Sequence, residues 1–153
     1  MATTTKEKYK YIRGAFLTWL RTSADIKTLT NFNISSNISV LARTGDEVVT
    51  RPFLDVAIVP APPPIEDVDT WYETRFLCTA YDDDPLVTSD IIGAVENLAK
   101  QSGMIDAAFS DAYVKSLGIR SAGLRSLMEA TGDPTGAIYR SAVDIDVRWR
   151  EVT

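Results

Sequence analysis

The chain has 153 residues, of which 45% are hydrophobic and 24% charged, and it contains one cysteine and no histidine. This length and composition are typical of one globular domain with a core of its own. The absence of histidine excludes serine triads with a histidine base, zinc sites with histidine ligands and histidine pH switches. The single cysteine, Cys78, excludes a disulfide within the chain and any Cys-x-x-Cys chemistry.

The net charge of the chain is −5 at pH 7. Non-specific binding of duplex DNA needs clustered lysine and arginine, so an acidic chain is a poor candidate for it. The first eight residues lack the apolar segment of a signal peptide, and no run approaches the ~18 apolar residues of a membrane span. We therefore expect a protein of a cytosol-like compartment with no membrane partner. Residues 1–153 are predicted to form a single domain, with residues 1–8 as a flexible arm.

Four apolar residues near the start recur at helical spacing and predict an α-helix. They are Ile12, Phe16, Trp19 and Leu20. Ser23 and Asp25 are typical caps and predict a short second helix, whereas the polar residues 31–37 predict a loop.

The hydrophobic period then changes to two, which predicts strands. Residues 38–43 and 47–59 are rich in β-formers and flank Thr44-Gly45-Asp46, whose glycine suits a hairpin turn. Proline cannot donate to a strand ladder, so the proline run that begins at Pro60 ends the second strand. Residues 60–70 are predicted to form an exposed, acidic, proline-rich loop.

A third strand and a well-marked helix follow. Residues 71–81 alternate and give the strand an apolar face that includes Phe76 and Cys78. Asp84 suits the N-cap and Pro85 the first position of a helix, which we expect to end near Gly103.

The remaining residues predict a second hairpin. Residues 104–118 are ambiguous between a short helix and a loop. Residues 120–130 and 137–150 flank a segment rich in turn residues, and the last strand alternates between apolar and charged residues without a break. One face of that strand must lie on a core and the other in water or on a partner. The order of elements predicts an α+β fold, a largely antiparallel β-sheet with helices packed on one face.

Two carboxylates, Asp144 and Asp146, lie on one face of the last predicted strand, close enough to share a divalent cation. Asp55 and Glu73 on other strands could complete the site of a metal-dependent nuclease or phosphotransfer enzyme. Three arginines on the same face favour cross-strand ion pairs instead. They are Arg140, Arg148 and Arg150. We therefore expect no catalytic, cofactor-binding or metal-binding residue here.

Three other motifs have a structural and a functional interpretation. The run Asp82-Asp83-Asp84 resembles the start of a calcium-binding loop, but it lacks the glycine and closing glutamate, and capping of the next helix is the stronger interpretation. The prolines Pro62-Pro63-Pro64 form a stiff connector or, as the alternative, a ligand for an aromatic groove of a partner. Cys78 alternates with apolar residues, which predicts a buried, unreactive thiol. No phosphate-binding glycine motif or nucleophile elbow is present.

Several segments, in order and over nearly the whole chain, resemble the tail terminators, or tail-completion proteins, of the necks of long-tailed bacteriophages. They are residues 11–16, 51–58, 72–77, 84–98 and 139–149. The resemblance implies a structural virion protein of the tail or neck, assembled in the host cytoplasm and without catalytic residues. It implies a homohexameric ring that caps the tail tube, stops its polymerisation and joins it to the head-completion or connector protein, with DNA only as transiting cargo.

The interface residues that we predict for such a ring are Pro62, Pro63, Pro64, Asp144, Asp146, Arg148 and Arg150. Six copies would carry a formal charge of about −30, which suits a lumen that passes DNA without gripping it. Three alternatives remain open: a head-completion or connector protein with a twelvefold ring, the metal-dependent nuclease, and a soluble adaptor module that uses the proline run.

Overall fold

The computed structural model describes residues 5–36, 51–59, 71–103, 113–130 and 138–152. The elements in chain order are helix α1 (Thr5–Leu20), helix α2 (Ala24–Leu29), strand β1 (Ile34–Ser36), strand β2 (Phe53–Val59), strand β3 (Trp71–Asp82), helix α3 (Pro85–Gly103), strand β4 (Val114–Ala130) and strand β5 (Tyr139–Glu151).

The strands form one five-stranded sheet in the order β1-β2-β3-β5-β4. The β1–β2 pair is parallel, and the β2–β3, β3–β5 and β4–β5 pairs are antiparallel. The helices pack on one face of this sheet, where their apolar stripes join the sheet in a single core. The predicted α+β fold with a largely antiparallel sheet is therefore confirmed.

The predicted apolar stripe of α1 is confirmed. Its four members are buried, and the ring of Phe16 stacks on that of Phe76 in β3 with centroids 3.9 Å apart. The indole Nε1 of Trp19 donates to Ser102 Oγ near the end of α3 at 3.0 Å. Burial of large aromatic side chains is worth several kcal/mol, so α1 is fixed to the sheet chiefly by these rings.

The predicted helix caps at Ser23 and Asp84 are confirmed, whereas Asp25 lies within the first turn of α2 and is not a cap. Ser23 is the N-cap of α2, and its hydroxyl accepts a hydrogen bond from the Ile26 amide at 3.2 Å. Asp84 Oδ1 accepts from the Leu86 amide in the first turn of α3 at 2.9 Å. Each side chain satisfies a backbone donor that has no partner within the helix.

The strand alternation places the predicted apolar faces on the core. Phe76 lies opposite both Ile58 of β2 and Ile145 of β5, and the next inward pair is formed by Cys78 and Val143. Every second side chain of β2, β3 and β5 therefore points to the same face of the sheet, and these side chains form one layer beneath the helices.

Three expectations are corrected. The predicted loop at residues 31–37 contains β1, which pairs in parallel with β2 so that Ile34 lies opposite Leu54. Helix α1 begins at Thr5, within the predicted N-terminal arm. The ambiguous segment 104–118 ends in strand, because β4 begins at Val114. For the two strands, pairing with a distant element decides the conformation, which local propensity does not report.

Some predictions lie outside the described residues. They are the hairpin turn Thr44-Gly45-Asp46 with residues 38–43, the loop at residues 60–70, and the turn at residues 131–136. The second hairpin itself is confirmed by the β4–β5 pairing.

Strand β4 is irregular along its length. Its register against β5 shifts four times, first between Ser116 and Gly118 and last before Glu129. Gly123 has a φ of +121° and Met128 a φ of +52°, conformations outside the β region that coincide with two of these shifts. The bulges twist β4 away from a regular ladder and open space beside it on the sheet face opposite the helices.

Candidate functional site

Charged side chains cluster on the sheet face that is turned away from the helices. We call this surface the basic face and define it by nine residues of β3, β4 and β5. Six are cations, Arg75, Lys115, Arg120, Arg125, Arg148 and Arg150, and three are carboxylates, Glu73, Asp144 and Asp146. The excess of cations contrasts with the net charge of −5 for the whole chain.

Asp146 lies at the centre of this face and is only 5% exposed. Arg75 of β3 binds it through two hydrogen bonds, Nε to Oδ1 at 2.7 Å and Nη2 to Oδ2 at 3.1 Å. Arg120 of β4 approaches Oδ2 from the other side at 3.4 Å. The hydrogen bonds from Arg75 hold the pKa of the Asp146 carboxyl below its usual range, although burial acts in the opposite direction.

Asp144 has one strong partner. Its Oδ2 accepts from Arg125 Nε at 2.7 Å, while Oδ1 is buried and has no hydrogen-bond partner among the described residues. The two aspartates thus lie beneath the guanidinium groups that they bind. A buried carboxylate in this position fixes an arginine whose far side remains exposed.

The cross-strand ion pair expected of Arg140 is confirmed, with Glu129 of β4 at 3.1 Å. Arg148 differs from the expectation, because its guanidinium lies 4.5 Å from the ring centroid of Trp71. Arg150 lies opposite Trp71 in the ladder and is exposed. Side chains directly opposite on adjacent strands are closer than those two positions along one strand, so neighbours on β3 and β4 bind the aspartates.

The four carboxylates of the predicted nuclease site are not brought into one group. Asp55 lies on β2 opposite Thr79, with β3 between it and the β5 aspartates. Glu73 lies opposite Arg148. Among the described residues, no group of three or more acidic, cysteine or histidine side chains is placed to hold a metal ion.

The acidic run before α3 has the capping role predicted for it. Asp82 Oδ2 accepts from the Asp84 amide at 3.1 Å, and Asp83 forms an ion pair with Arg51 at 3.2 Å. Cys78 is a free, buried cysteine, and burial raises the pKa of its thiol well above the ordinary value. The prolines Pro62-Pro63-Pro64 lie outside the described residues.

A cleft of about 260 Å³ opens in the basic face beside the first bulge of β4. Leu117, Gly118 and Ile119 supply one wall, and two cations, Arg120 and Arg148, and two carboxylates, Glu73 and Asp146, complete the lining. Leu117 is 36% exposed, so the cleft combines apolar surface with cations. Such a combination suits an apolar side chain flanked by carboxylates.

None of the protein-family models matches this chain, and no curated protein matches it. A chain of the virion of a native gene transfer agent (GTA) particle aligns with it at 15% identity and a TM-score of 0.54, over 91% of this chain and 93% of that chain. The two chains share a fold. A second solved structure aligns over 95% of this chain and 96% of that chain at 16% identity, with a TM-score of 0.37, which is too low to show a shared fold.

Sequence reasoning missed the cleft and an apolar part of β4. Leu124, Leu127 and Met128 are between 40% and 52% exposed, on a strand that forms one edge of the sheet as described. The signal in the sequence was the loss of alternation after Gly123, where apolar residues no longer follow period two. None of the described helices is long and apolar enough to span a membrane.

Proposed function

We propose that this chain is a structural protein of a phage-like virion and acts there as a tail terminator. Six copies form a ring that caps the tail tube, stops its polymerisation and joins it to the head connector, with DNA passing through the lumen. Its partners are other copies of itself, the tail-tube protein and the head-completion protein.

The observation that carries the proposal is the fold shared with a chain of a gene transfer agent virion. The alignment includes nearly all of both chains, at 91% and 93%. A shared fold alone does not assign a function. The resemblance to tail terminators gives a second support, since its N-terminal helix, capped helix, strands and second hairpin are present, while its first hairpin and proline-rich loop lie outside the described residues.

The chemistry of the described surface is consistent with a binding role. The β5 aspartates are engaged by arginines at 2.7 Å, and the exposed groups are guanidinium groups and leucines. Exposed apolar side chains rimmed by charge are typical of contacts between proteins. A ring subunit needs such surfaces on more than one side.

The test is a tube-growth assay with the cognate tail-tube protein. We expect tubes to stop growing when the chain is added in small amounts relative to the tube protein, because one ring caps one tube end. Tube length is measured on negative-stain images, and tubes of an unrelated phage are the control. Cognate tubes that lengthen as they do without the chain would refute the proposal.

The number of subunits in the ring separates the tail terminator from the alternative position in the neck. We expect six subunits in class averages of the assembled particle and in its mass. A ring of twelve would reassign the chain to the head-completion or connector proteins while leaving the virion role in place.

A further inference from the structure

We propose that neighbouring copies of this chain associate head to tail, with Leu86 at the start of α3 of one copy seated in the cleft of the basic face of the next. The inference rests on the proposed function, because it assigns the contact that would repeat around the ring. The occupant of the cleft is therefore a second copy of this chain.

The receiving surface is positive where it meets solvent. Two of the three carboxylates of the basic face, Asp144 and Asp146, are no more than 7% exposed and lie beneath arginines. The side chain of Arg120 is 73% exposed. Arg148 is exposed as well, and its contact within the described residues is the ring of Trp71 rather than a carboxylate. The third carboxylate, Glu73, is 41% exposed and approaches Arg120 at 3.9 Å, so Arg148 is the rim cation that has no carboxylate partner among the described residues and can bind one from outside.

The inserted surface is acidic and carries an exposed leucine. Leu86 is 65% exposed in the first turn of α3, so its side chain is available to another molecule. Four carboxylates lie within four residues of it along the chain. They are Asp82, Asp83, Asp84 and Asp90. Arg51 neutralises one of them, Asp83.

The cleft has the size and lining for this occupant. An apolar cavity of roughly 150 Å³ holds a benzene-sized group, so about 260 Å³ has room for a leucine side chain. The exposed part of Leu117 offers apolar contact to it, whereas Ile119 is buried in the core, and Arg120 and Arg148 face the flanking carboxylates. The apolar centre of the cleft is complementary to the leucine and its cations are complementary to the acidic residues around that leucine, which favours specificity for this segment.

The two surfaces lie on opposite faces of the sheet. Helix α3 packs on the core face, where Thr88 Oγ1 lies 2.9 Å from Ser141 Oγ, whereas the cleft opens on the other face. One subunit therefore cannot fill its own cleft, and the contact joins two different surfaces. A contact of this heterologous kind repeats from copy to copy and closes into a ring when the rotation permits.

Disulfide cross-linking tests the contact directly. The native Cys78 is buried, so cysteines introduced by Leu86→Cys and Leu117→Cys are the reactive ones. Under mild oxidation, we expect a ladder of covalent oligomers up to the closed ring from the double variant, and dimers only from a mixture of the two single variants. Each single variant alone should give no ladder.

The pair Leu86→Cys and Lys10→Cys is the matched control, because Lys10 is exposed on α1. Cross-linking no greater than in the control overturns the inference.

Charge reversal provides the second test and separates this inference from the proposed function. We expect Arg148→Glu to weaken subunit association by about tenfold or more, and Asp90→Arg to restore part of it in the double variant. Lys10→Glu carries the same change in net charge and should leave association unchanged.

If Arg148→Glu forms rings and caps tubes as the wild type does, the contact is refuted while the tail-terminator role stands. If the double cysteine variant forms the ladder but the chain does not cap tubes, the contact stands and the proposed function falls.

Nucleic acid is the competing occupant of a basic face. A short duplex DNA that binds the wild type and fails to bind Arg148→Glu, while the double cysteine variant gives no ladder beyond the control, would assign this face to DNA and overturn the inference. Duplex that leaves the protein unbound at moderate salt, together with the ladder, supports the contact between copies.

Discussion

Buried carboxylates usually cost stability unless a cation and further hydrogen bonds compensate for their lost hydration. Asp146 has that compensation, because Arg75 binds both of its oxygens and Arg120 adds a third contact. The same contacts orient the guanidinium groups, so the aspartate acts as a positioning residue for the basic face. Removing one partner should therefore affect stability more than removing an exposed ion pair.

We expect Arg75→Met to lower the free energy of unfolding by about 1–3 kcal/mol, because Asp146 stays buried and loses two hydrogen bonds. The matched control is Arg140→Met, whose partner Glu129 is half exposed and whose loss should cost less than about 1 kcal/mol. Urea denaturation of both variants measures the difference. Equal effects of the two substitutions would contradict the structural role of the Asp146 pair.

The pKa of Asp146 predicts a pH dependence. The hydrogen bonds from Arg75 lower the pKa of this carboxyl in the folded state, so the pair stabilises the fold above the unfolded pKa of about 3.9. That contribution is lost as the pH falls through the lower, folded-state pKa. The difference in unfolding free energy between wild type and Asp146→Asn should be constant near neutral pH and shrink in acid below about pH 4. A difference that grows in acid would contradict the direction of the shift.

The thiol of Cys78 should be inert in the folded chain. Burial raises the pKa of the thiol, so little of the reactive thiolate forms, and the side chain lies in the core, where a reagent cannot reach it. We expect no labelling by iodoacetamide under native conditions and complete labelling in urea, measured by mass spectrometry. Rapid labelling of the native chain would show that the sheet opens at this point.

At the scale of elements, helix α3 is the one whose limits local chemistry determines most clearly. Asp84 caps its first turn, and its apolar stripe reaches the sheet through Ile91 and Val95. Strand β1 is the opposite case, since three residues in a polar segment become a strand only through pairing with β2. The residues before it offer no period-two pattern from which the strand could be predicted.

Loss of the α3 cap should cost about 1 kcal/mol in Asp84→Ala, because the Leu86 amide then has no side-chain acceptor. The control is Asp90→Ala, an exposed position within the same helix, which should stay within about 0.5 kcal/mol of the wild type. Thermal or urea unfolding measures both. A cost for Asp90→Ala as large as that for Asp84→Ala would show that charge rather than capping is responsible.

At the scale of the whole molecule, two of the described surfaces have opposite charge. Cations gather on the sheet face away from the helices, and carboxylates gather at the start of α3. The net charge of −5 is a sum over the chain and does not show that either surface exists. The segregation explains how an acidic chain can still offer arginines to a negatively charged segment of its neighbour.

This arrangement predicts that assembly weakens with salt. The Debye length falls from about 10 Å at 0.1 M ionic strength to about 3 Å at 1 M, so attraction between the two surfaces is screened. We expect the dissociation constant of the wild-type ring to rise over this range, and that of Arg148→Glu to change less. Mass photometry at several salt concentrations follows both. Assembly that strengthens with salt would indicate a contact dominated by apolar surface, such as the exposed leucines of β4.

The sequence by itself determined the α+β class, the apolar faces of α1, α3, β2, β3 and β5, the caps at Ser23 and Asp84, and the pairing of the β5 aspartates with arginines. These follow from spacing and residue type, which act within one element. The tertiary structure decided the existence of β1, the extent of β4, the identity of the arginines on Asp144 and Asp146, and the cleft beside Leu117. Each of these depends on which strand lies next to which and where a bulge shifts the register. Strand order and register are set by contacts between residues far apart in the chain, and no local pattern carries that information.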